Sequence, residues 1–437
     1  MLGKEKCLAL IEAALAACEC DQAEVVIYAT DHALTRFADS TIHQNVAERN
    51  AMLSVRAVRG RRSGAARGNQ LTVEAARDVA QRAKELAAVS AEDREFVSLA
   101  QPQPIPDVPS YAEATAASTP ETRAAAVQEI VAVARREACR ASGSLSAETA
   151  EMAIGNSLGV RAYAPATQAS LVLVAAEDES SGYAEWHGLD LAQLDPRAAA
   201  EVAVRKCVLG RGAQSLPPDV YPVILEPAAV ADMLSMLAWM SFGANAYQEG
   251  RSFMSGRMGQ RVAGENVSIW DDGTDPRGLA FPFDWEGMPK RKVMLIDRGV
   301  AAGIAYDTYS ATKEGKQTTG NALPQPNTYG ALPMHLFLGT GDASEDDMIA
   351  STEYGLLVTR FHYTNVIHEK KTTFTGMTRD GTFLIQHGRI TGPVQNLRFT
   401  QSILEALNDV EMIGERGQLT ENGYAPAVKV RRFSFTS

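Results

Sequence analysis

The residues best equipped for chemistry are thinly spread along this chain. His362, His368 and Glu369 fall within one run, His-Tyr-Thr-Asn-Val-Ile-His-Glu. Imidazoles and a carboxylate at close range could hold a metal or move a proton. Their spacing argues otherwise: six residues apart on a strand, the two rings share a face but stand about 20 Å apart along it. Val366 and Ile367 read as core strand positions, so the histidines are expected to line a surface or cleft. His335 and His387 are isolated and read as ordinary imidazoles. The acidic run Asp271-Asp272-Gly273-Thr274-Asp275-Pro276 lacks the ligand spacing and terminal Glu of a calcium loop and reads as a turn. Gly339-Thr340-Gly341 before a helix start at Ser344 is a weak phosphate cradle, since no Gly-Lys-Ser/Thr follows and Asp346 and Asp347 crowd that end. Ser255-Gly256 belongs to no Gly-x-Ser-x-Gly elbow. No serine-hydrolase constellation emerges.

The elements that must position these residues divide the chain in two. A helix near 4–17 leads into β-rich runs at 24–29, 34–37, 42–48 and 50–58. Thr72 is placed to cap a helix through Ala88, with Glu74 in its first turn. A Pro-rich connection follows, then an Ala-rich helix over 123–141. Strands at 148–154 and 168–175 join through Gly155-Asn-Ser-Leu-Gly159, and Asp195–Leu209 is a further helix with Pro196 in its first turn. Pro217-Pro218 marks the expected boundary between domains 1–216 and 217–437. Beyond it come a strand at 221–225, a helix over 227–242, a capping box at Ser344, and a last strand near 427–435. The fold class is α+β: an α/β N-terminal domain followed by a largely β C-terminal domain.

Composition narrows the function. A chain of 437 residues exceeds one ordinary core, and 45% apolar with 22% charged residues is usual for a globular protein. A net charge of −11 argues against nucleic acid or an anionic membrane as partner. The cluster Arg56, Arg59, Arg61, Arg62 and Arg67 reads as a solvated loop. No run is long and apolar enough for a membrane span. The first helix reads as amphipathic, not as a signal peptide, because Glu12 interrupts it. Cys7, Cys18, Cys20, Cys139 and Cys207 fit no disulfide framework, which points to reduced thiols and a cytoplasmic location.

The stretch 252–330, dense in Gly, Asp, Pro and aromatics, carries a sequence of short motifs. They are Ser255-Gly-Arg-Met-Gly-Gln-Arg-Val262, Asp271-Asp-Gly-Thr274, Glu286-Gly-Met-Pro289, Leu295-Ile-Asp-Arg-Gly-Val300 and Thr319-Gly320-Asn321. Their order resembles the C-terminal half of the TldD/PmbA (TldE) family. Arg36–Gln44, Gly155–Gly159, Thr378–Ile385 and Gly392–Arg398 extend the resemblance over nearly the whole chain. The resemblance implies a metallopeptidase fold in which active members bind zinc through a His-Glu-x-x-x-His motif after a strand and a Cys near the C-terminus. Here the corresponding strand is Tyr221–Leu225, and Glu226, Pro227 and Ala231 stand at the motif positions. Pro and Ala side chains bind no metal, Pro227 and Glu226 suit a helix start, and no cysteine follows Cys207.

The chain is thus most like the metal-free TldE/PmbA-type subunit, with no catalytic residue and no cofactor of its own. Zinc is then expected in a TldD-like partner subunit of a heterodimer that processes peptides. Gly320, Asn321, His362 and His368 are the candidates for binding peptide or partner. Met236, Trp239, Met240, Met254 and Met258 read first as core, then as an adaptable partner surface. The alternatives are a homodimeric peptide- or client-binding protein without hydrolysis, with an indirect effect on DNA gyrase, and a metallopeptidase with a rearranged site at His362, His368 and Glu369.

Overall fold

The computed structural model describes residues 1–436. The first half folds as α1 (Lys4–Cys18), β1 (Gln22–Ala38), β2 (Thr41–Arg59), β3 (Arg62–Gly68), α2 (Val73–Val89), α3 (Glu113–Ala116), α4 (Pro120–Arg136), β4 (Arg140–Asn156), β5 (Arg161–Ala176), β6 (Ser181–Gly188) and α5 (Pro196–Leu209). The six strands make one antiparallel sheet in the order β3-β2-β1-β4-β5-β6. Strand alternation gives it two apolar faces. Val25, Ile27, Leu53, Val55 and Ala153 pack under α1 and α2. Their neighbours Val26, Met52, Met152 and Ile154 point the other way, onto Phe283 and Met288 of the second half. The sheet is therefore a wall shared between its own helices and the C-terminal domain.

The second half folds as β7 (Val220–Leu225), α6 (Pro227–Leu237), a π turn (Ala238–Phe242), α7 (Ala244–Gln248), β8 (Ile269–Asp271), β9 (Val293–Asp297), β10 (Val300–Ala301), α8 (Thr308–Lys313), β11 (Leu336–Leu338), α9 (Glu345–Ala350), β12 (Tyr354–His368), β13 (Thr373–Gln386), β14 (Arg389–Pro393), β15 (Arg398–Ser402), α10 (Ile403–Asn408), β16 (Val410–Thr420) and β17 (Gly423–Ser434). Its sheet runs β10-β9-β8-β11-β17-β7-β12-β13-β14, with β15 on β13 and β16 on β17. β7 is parallel to β12 and antiparallel to β17, so the sheet is mixed. Val223 and Leu225 face the main core with α6, while Ile224 faces a smaller core with Met348 of α9.

Several expectations need correction. The four short β runs at 24–58 are two strands of 17 and 19 residues, paired from end to end. The Ala-rich helix begins earlier, at a Thr119 capping box with Pro120, and stops at Arg136, because Ala138 turns left-handed at φ 60 and Arg140 starts β4. Val366 and Ile367 are not core: they are 40% and 60% exposed near the end of β12. Other signals hold as read, including the Thr72 cap, the Asp195–Pro196 helix start and the Ser344–Asp347 box.

The N-terminal sheet meets α5 backbone to backbone at Gly182. A Cβ there would lie 2.0 Å from the Ala203 carbonyl oxygen and 2.5 Å from the Cys207 nitrogen. Gly182→Ala is expected to push α5 off β6 and to destabilise by about 1–3 kcal/mol or more through overpacking. A shift in the urea midpoint measures it.

Candidate functional site

β7 delivers Glu226 to the junction of the two domains, its backbone N–H donating to the Val358 carbonyl at 3.0 Å. Glu226 is the N-cap of α6, but its carboxylate does not cap the helix. It accepts instead from the ammonium of Lys206, on α5 of the N-terminal domain, with both side chains about nine-tenths buried. Pro227 opens the helix, and Ala231 is fully buried in the main core. Glu226 and Ala231 are therefore not brought together. A zinc ion does not fit these residues, since an ammonium already supplies the cation beside Glu226 and the other two positions offer no donor.

The motif is absent in every other frame as well. His32, His43, His187, His335, His362, His368 and His387 include no pair five residues apart. A five-residue spacing shares one face in a π turn, and the π turn Ala238–Phe242 carries neither imidazole nor carboxylate.

A cavity of about 300 Å³ opens beside the Lys206–Glu226 pair, bounded by Tyr183, Trp186, Thr359 and Gln418. Gln418 of β16 donates to the Glu185 carbonyl at 3.1 Å, and Ser181 donates to Asp380 at 2.6 Å, so side chains bind the edge strand β6 to the C-terminal domain. Asp232 of α6 is pushed up to about 7 by burial and then by Glu185 nearby.

A second cleft, about 500 Å³, lies where the outer face of the N-terminal sheet meets the loops of 278–337. Tyr28 and Met152 come from the sheet, Trp285, Lys290 and His335 from the loops, and Tyr424 from the start of β17. Trp285 packs on Tyr28 with ring centroids 5.3 Å apart. Behind this wall lies a buried polar network. Asp284 accepts from the backbone N–H groups of Glu286, Met288 and Ala322 at 2.8–2.9 Å, yet burial still pushes it up to about 6. Glu286 rises to about 8, first by burial and then by the charge of Asp284. Burial and Lys290 hold His335 down at about 4, and its Nδ1 is buried without a partner. Apolar walls with few convergent polar groups suit a bound organic ligand. No nucleophile stands paired with a base there.

Gly320 and Asn321 are struts of this wall. Gly320 sits at φ 76, and a Cβ would lie 2.3 Å from the Pro289 carbonyl oxygen, so only glycine fits. Asn321 is fully buried and donates to Asp271 at 2.7 Å. His362 and His368 lie elsewhere, on the outer part of β12, with register shifts between them and Tyr363 left-handed at φ 52. His362 is held low by burial and by Arg379 and Arg360. His368 is exposed, and its Nδ1 accepts from the Lys371 N–H at 3.3 Å. Glu369 pairs with Arg251 at 3.0 Å. The three do not form one site. Of the Met-rich group, Met240 and Met254 are core, whereas Trp239 is 51% exposed and packs edge-on against Tyr329.

Sequence reasoning missed three charged residues. Arg56, assigned to a solvated loop, is only 15% exposed at its side chain, and bridges Glu24 at 3.2 Å to Glu286 at 3.7 Å across the domains. Lys206 and Lys290 are also buried. No local signal marked Lys206: at 3.6 residues per turn it lies beside, not on, the stripe Ala200, Ala203, Val204, Cys207 that α5 buries. Among the described residues, no helix is long and apolar enough to cross a membrane.

Comparison with known proteins adds the family. Residues 218–437 match the PmbA/TldA metallopeptidase C-terminal domain. A metalloprotease TldD homolog of Buchnera aphidicola is 28% identical over 226 residues, 50% of this chain and 46% of that protein. An uncharacterised protein of Methanocaldococcus jannaschii is 39% identical over 101 residues, 23% of this chain and 24% of its own length. The chain spans about half the length of the metalloprotease relatives it matches. TldE of Thermococcus kodakarensis shares the fold, with a TM-score of 0.89 at 20% identity over 99% of this chain and 100% of that one. With half of its length matched to the family's own domain, the chain belongs to the PmbA/TldD metallopeptidase family.

Proposed function

We propose that this chain is the non-catalytic, TldE/PmbA-type subunit of a heterodimeric zinc metallopeptidase, and that a TldD-like subunit supplies the metal, the water and the general base. One observation carries the reading. The family's ligand set is missing, and Glu226, at one of its positions, is neutralised by Lys206 from the other domain. The side chains removed are those that catalysis needs. What is kept is the scaffold: an intact strand-to-helix junction and an aromatic cleft between the domains. The substrate class is peptide, lodged along the apolar wall of that cleft. Exposed Trp239 and Tyr329 suit a partner surface, since aromatics and Met are enriched there. The free thiols at all five cysteines fit a reducing compartment, the cytoplasm.

The test is coexpression with and without a TldD-type chain, followed by copurification, zinc analysis and peptide cleavage. The expected result is a one-to-one complex that cleaves peptide, and no cleavage by this chain alone. Peptide cleavage by the isolated chain would sink the reading. A stable homodimer that ignores the TldD-type chain and binds peptide intact would also overturn it.

A further inference from the structure

Outside the region that matches the peptidase domain, three side chains converge without a role in anything described so far. Cys139 follows the end of α4, Cys207 lies in the last turn of α5, and Glu177 sits in the turn between β5 and β6. Their ligand atoms all lie within 4.8 Å of one another. Both thiols are buried, 3% and 0% exposed, and Glu177 leads outward to solvent. The backbone is committed to this convergence. Ala138 takes a left-handed φ of 60 to turn Cys139 inward, and Gly182 lets α5 approach β6 closely enough to bring Cys207.

We propose that Cys139, Cys207 and Glu177 bind one soft divalent cation of the zinc class, as a structural site of the N-terminal domain. Two sulfurs and a carboxylate select a thiophilic ion over magnesium or calcium. Ser180, whose hydroxyl and carbonyl oxygens both lie 3.5 Å from Cys207 Sγ, or a water completes a tetrahedron. The charges balance. Two thiolates, one carboxylate and a divalent cation leave one negative charge, and Arg211 straddles Glu177 with its Nε 2.9 Å from Oε2. Binding forms two metal–sulfur bonds and releases the two thiol protons to solvent, with no change of oxidation state. The ion would tie the α4–β4 turn, the β5–β6 turn and α5 together. Because α5 also carries Lys206 to Glu226, loading stiffens one side of the domain junction. The proposal is independent of the chain's part in peptide cleavage.

The experiment titrates the reduced, metal-stripped full chain with cobalt(II) under anaerobic conditions. One equivalent should bind, with a near-ultraviolet thiolate charge-transfer band and the intense visible bands of tetrahedral cobalt, and zinc should displace it. Cys139→Ser and Cys207→Ser should each weaken or abolish the charge-transfer band. Glu177→Gln, which keeps both sulfurs and guards against misfolded variants, should weaken binding by about tenfold or more. The double variant Cys18→Ser/Cys20→Ser tests the other close thiol pair, 2.8 Å apart, and should bind as the wild type does. No charge-transfer band, a band that disappears with Cys18 and Cys20, or a Cys139–Cys207 disulfide in the native protein would each overturn the proposal.

Discussion

Replacing Lys206 with methionine should destabilise the protein by about 3–5 kcal/mol, the usual consequence of stranding one charge of a buried pair. Glu226 would keep its place at the N-cap of α6, 8% exposed, with no countercharge from α5. Its carboxylate makes no cap hydrogen bond that could replace the lost partner. The double variant Lys206→Met/Glu226→Leu should recover most of the loss, because a well-packed apolar pair replaces a buried ion pair at little net cost. Denaturant unfolding of the two single variants and the double variant forms a cycle that isolates the coupling. Additive effects would mean that the pair contributes nothing across the junction. The result also bears on the proposed function, since a structural ion pair in this place is what a metal site turned into scaffold would contain.

A second large effect is expected from pH. Glu286 titrates at about 8 in the folded protein, against 4.5 when unperturbed. Between those values the folded state holds a proton that the unfolded state has lost. The stability Glu286 contributes is therefore complete below pH 4.5, declines as pH rises and is gone above about 8. The ceiling on this loss is about 4–5 kcal/mol, from 1.36 kcal/mol for each unit of difference. Glu286→Gln should flatten the decline, since the amide oxygen can still accept the Thr308 N–H, now 3.0 Å from Oε2. Arg56 keeps Glu24 as its partner in that variant. Melting temperatures from pH 5 to 9 provide the check, as the difference between wild type and variant, because Asp232 and Asp284 also titrate in that range. Parallel curves would refute the assignment.

The parts legible in the sequence were those fixed by local rules. Thr72, Asp195 and Ser344 cap helices in the structure as their types and positions implied. Where a break has no local marker, the reading overran: nothing in Glu137-Ala138-Cys139 announces that the helix ends, and a non-glycine residue takes the left-handed turn. The long strands were cut short because Asp31 and His32 interrupt the apolar alternation, although both are paired on both sides by β2 and β4. Val366 and Ile367 looked like core because composition cannot tell the covered part of a long strand from its overhang. That Glu226, Pro227 and Ala231 spell no His-Glu-x-x-x-His set was readable from residue types alone. The buried charges of the chain were not, because Lys206 meets Glu226, and Arg56 meets the carboxyl of Glu286, between elements of different domains.

The place of β17 in the C-terminal sheet has a consequence for how the protein is made. Among the described residues, β17 is the only link in that sheet between β11 on one side and β7 on the other. Until residues 423–434 have been synthesised, the two halves of the sheet cannot join, and β7 lacks its neighbour on that side. At ordinary elongation rates the ribosome needs roughly 10–40 s to travel from the end of β7 to the end of β17. During that interval a nascent chain carries an open apolar strand edge, a template on which another chain can pair.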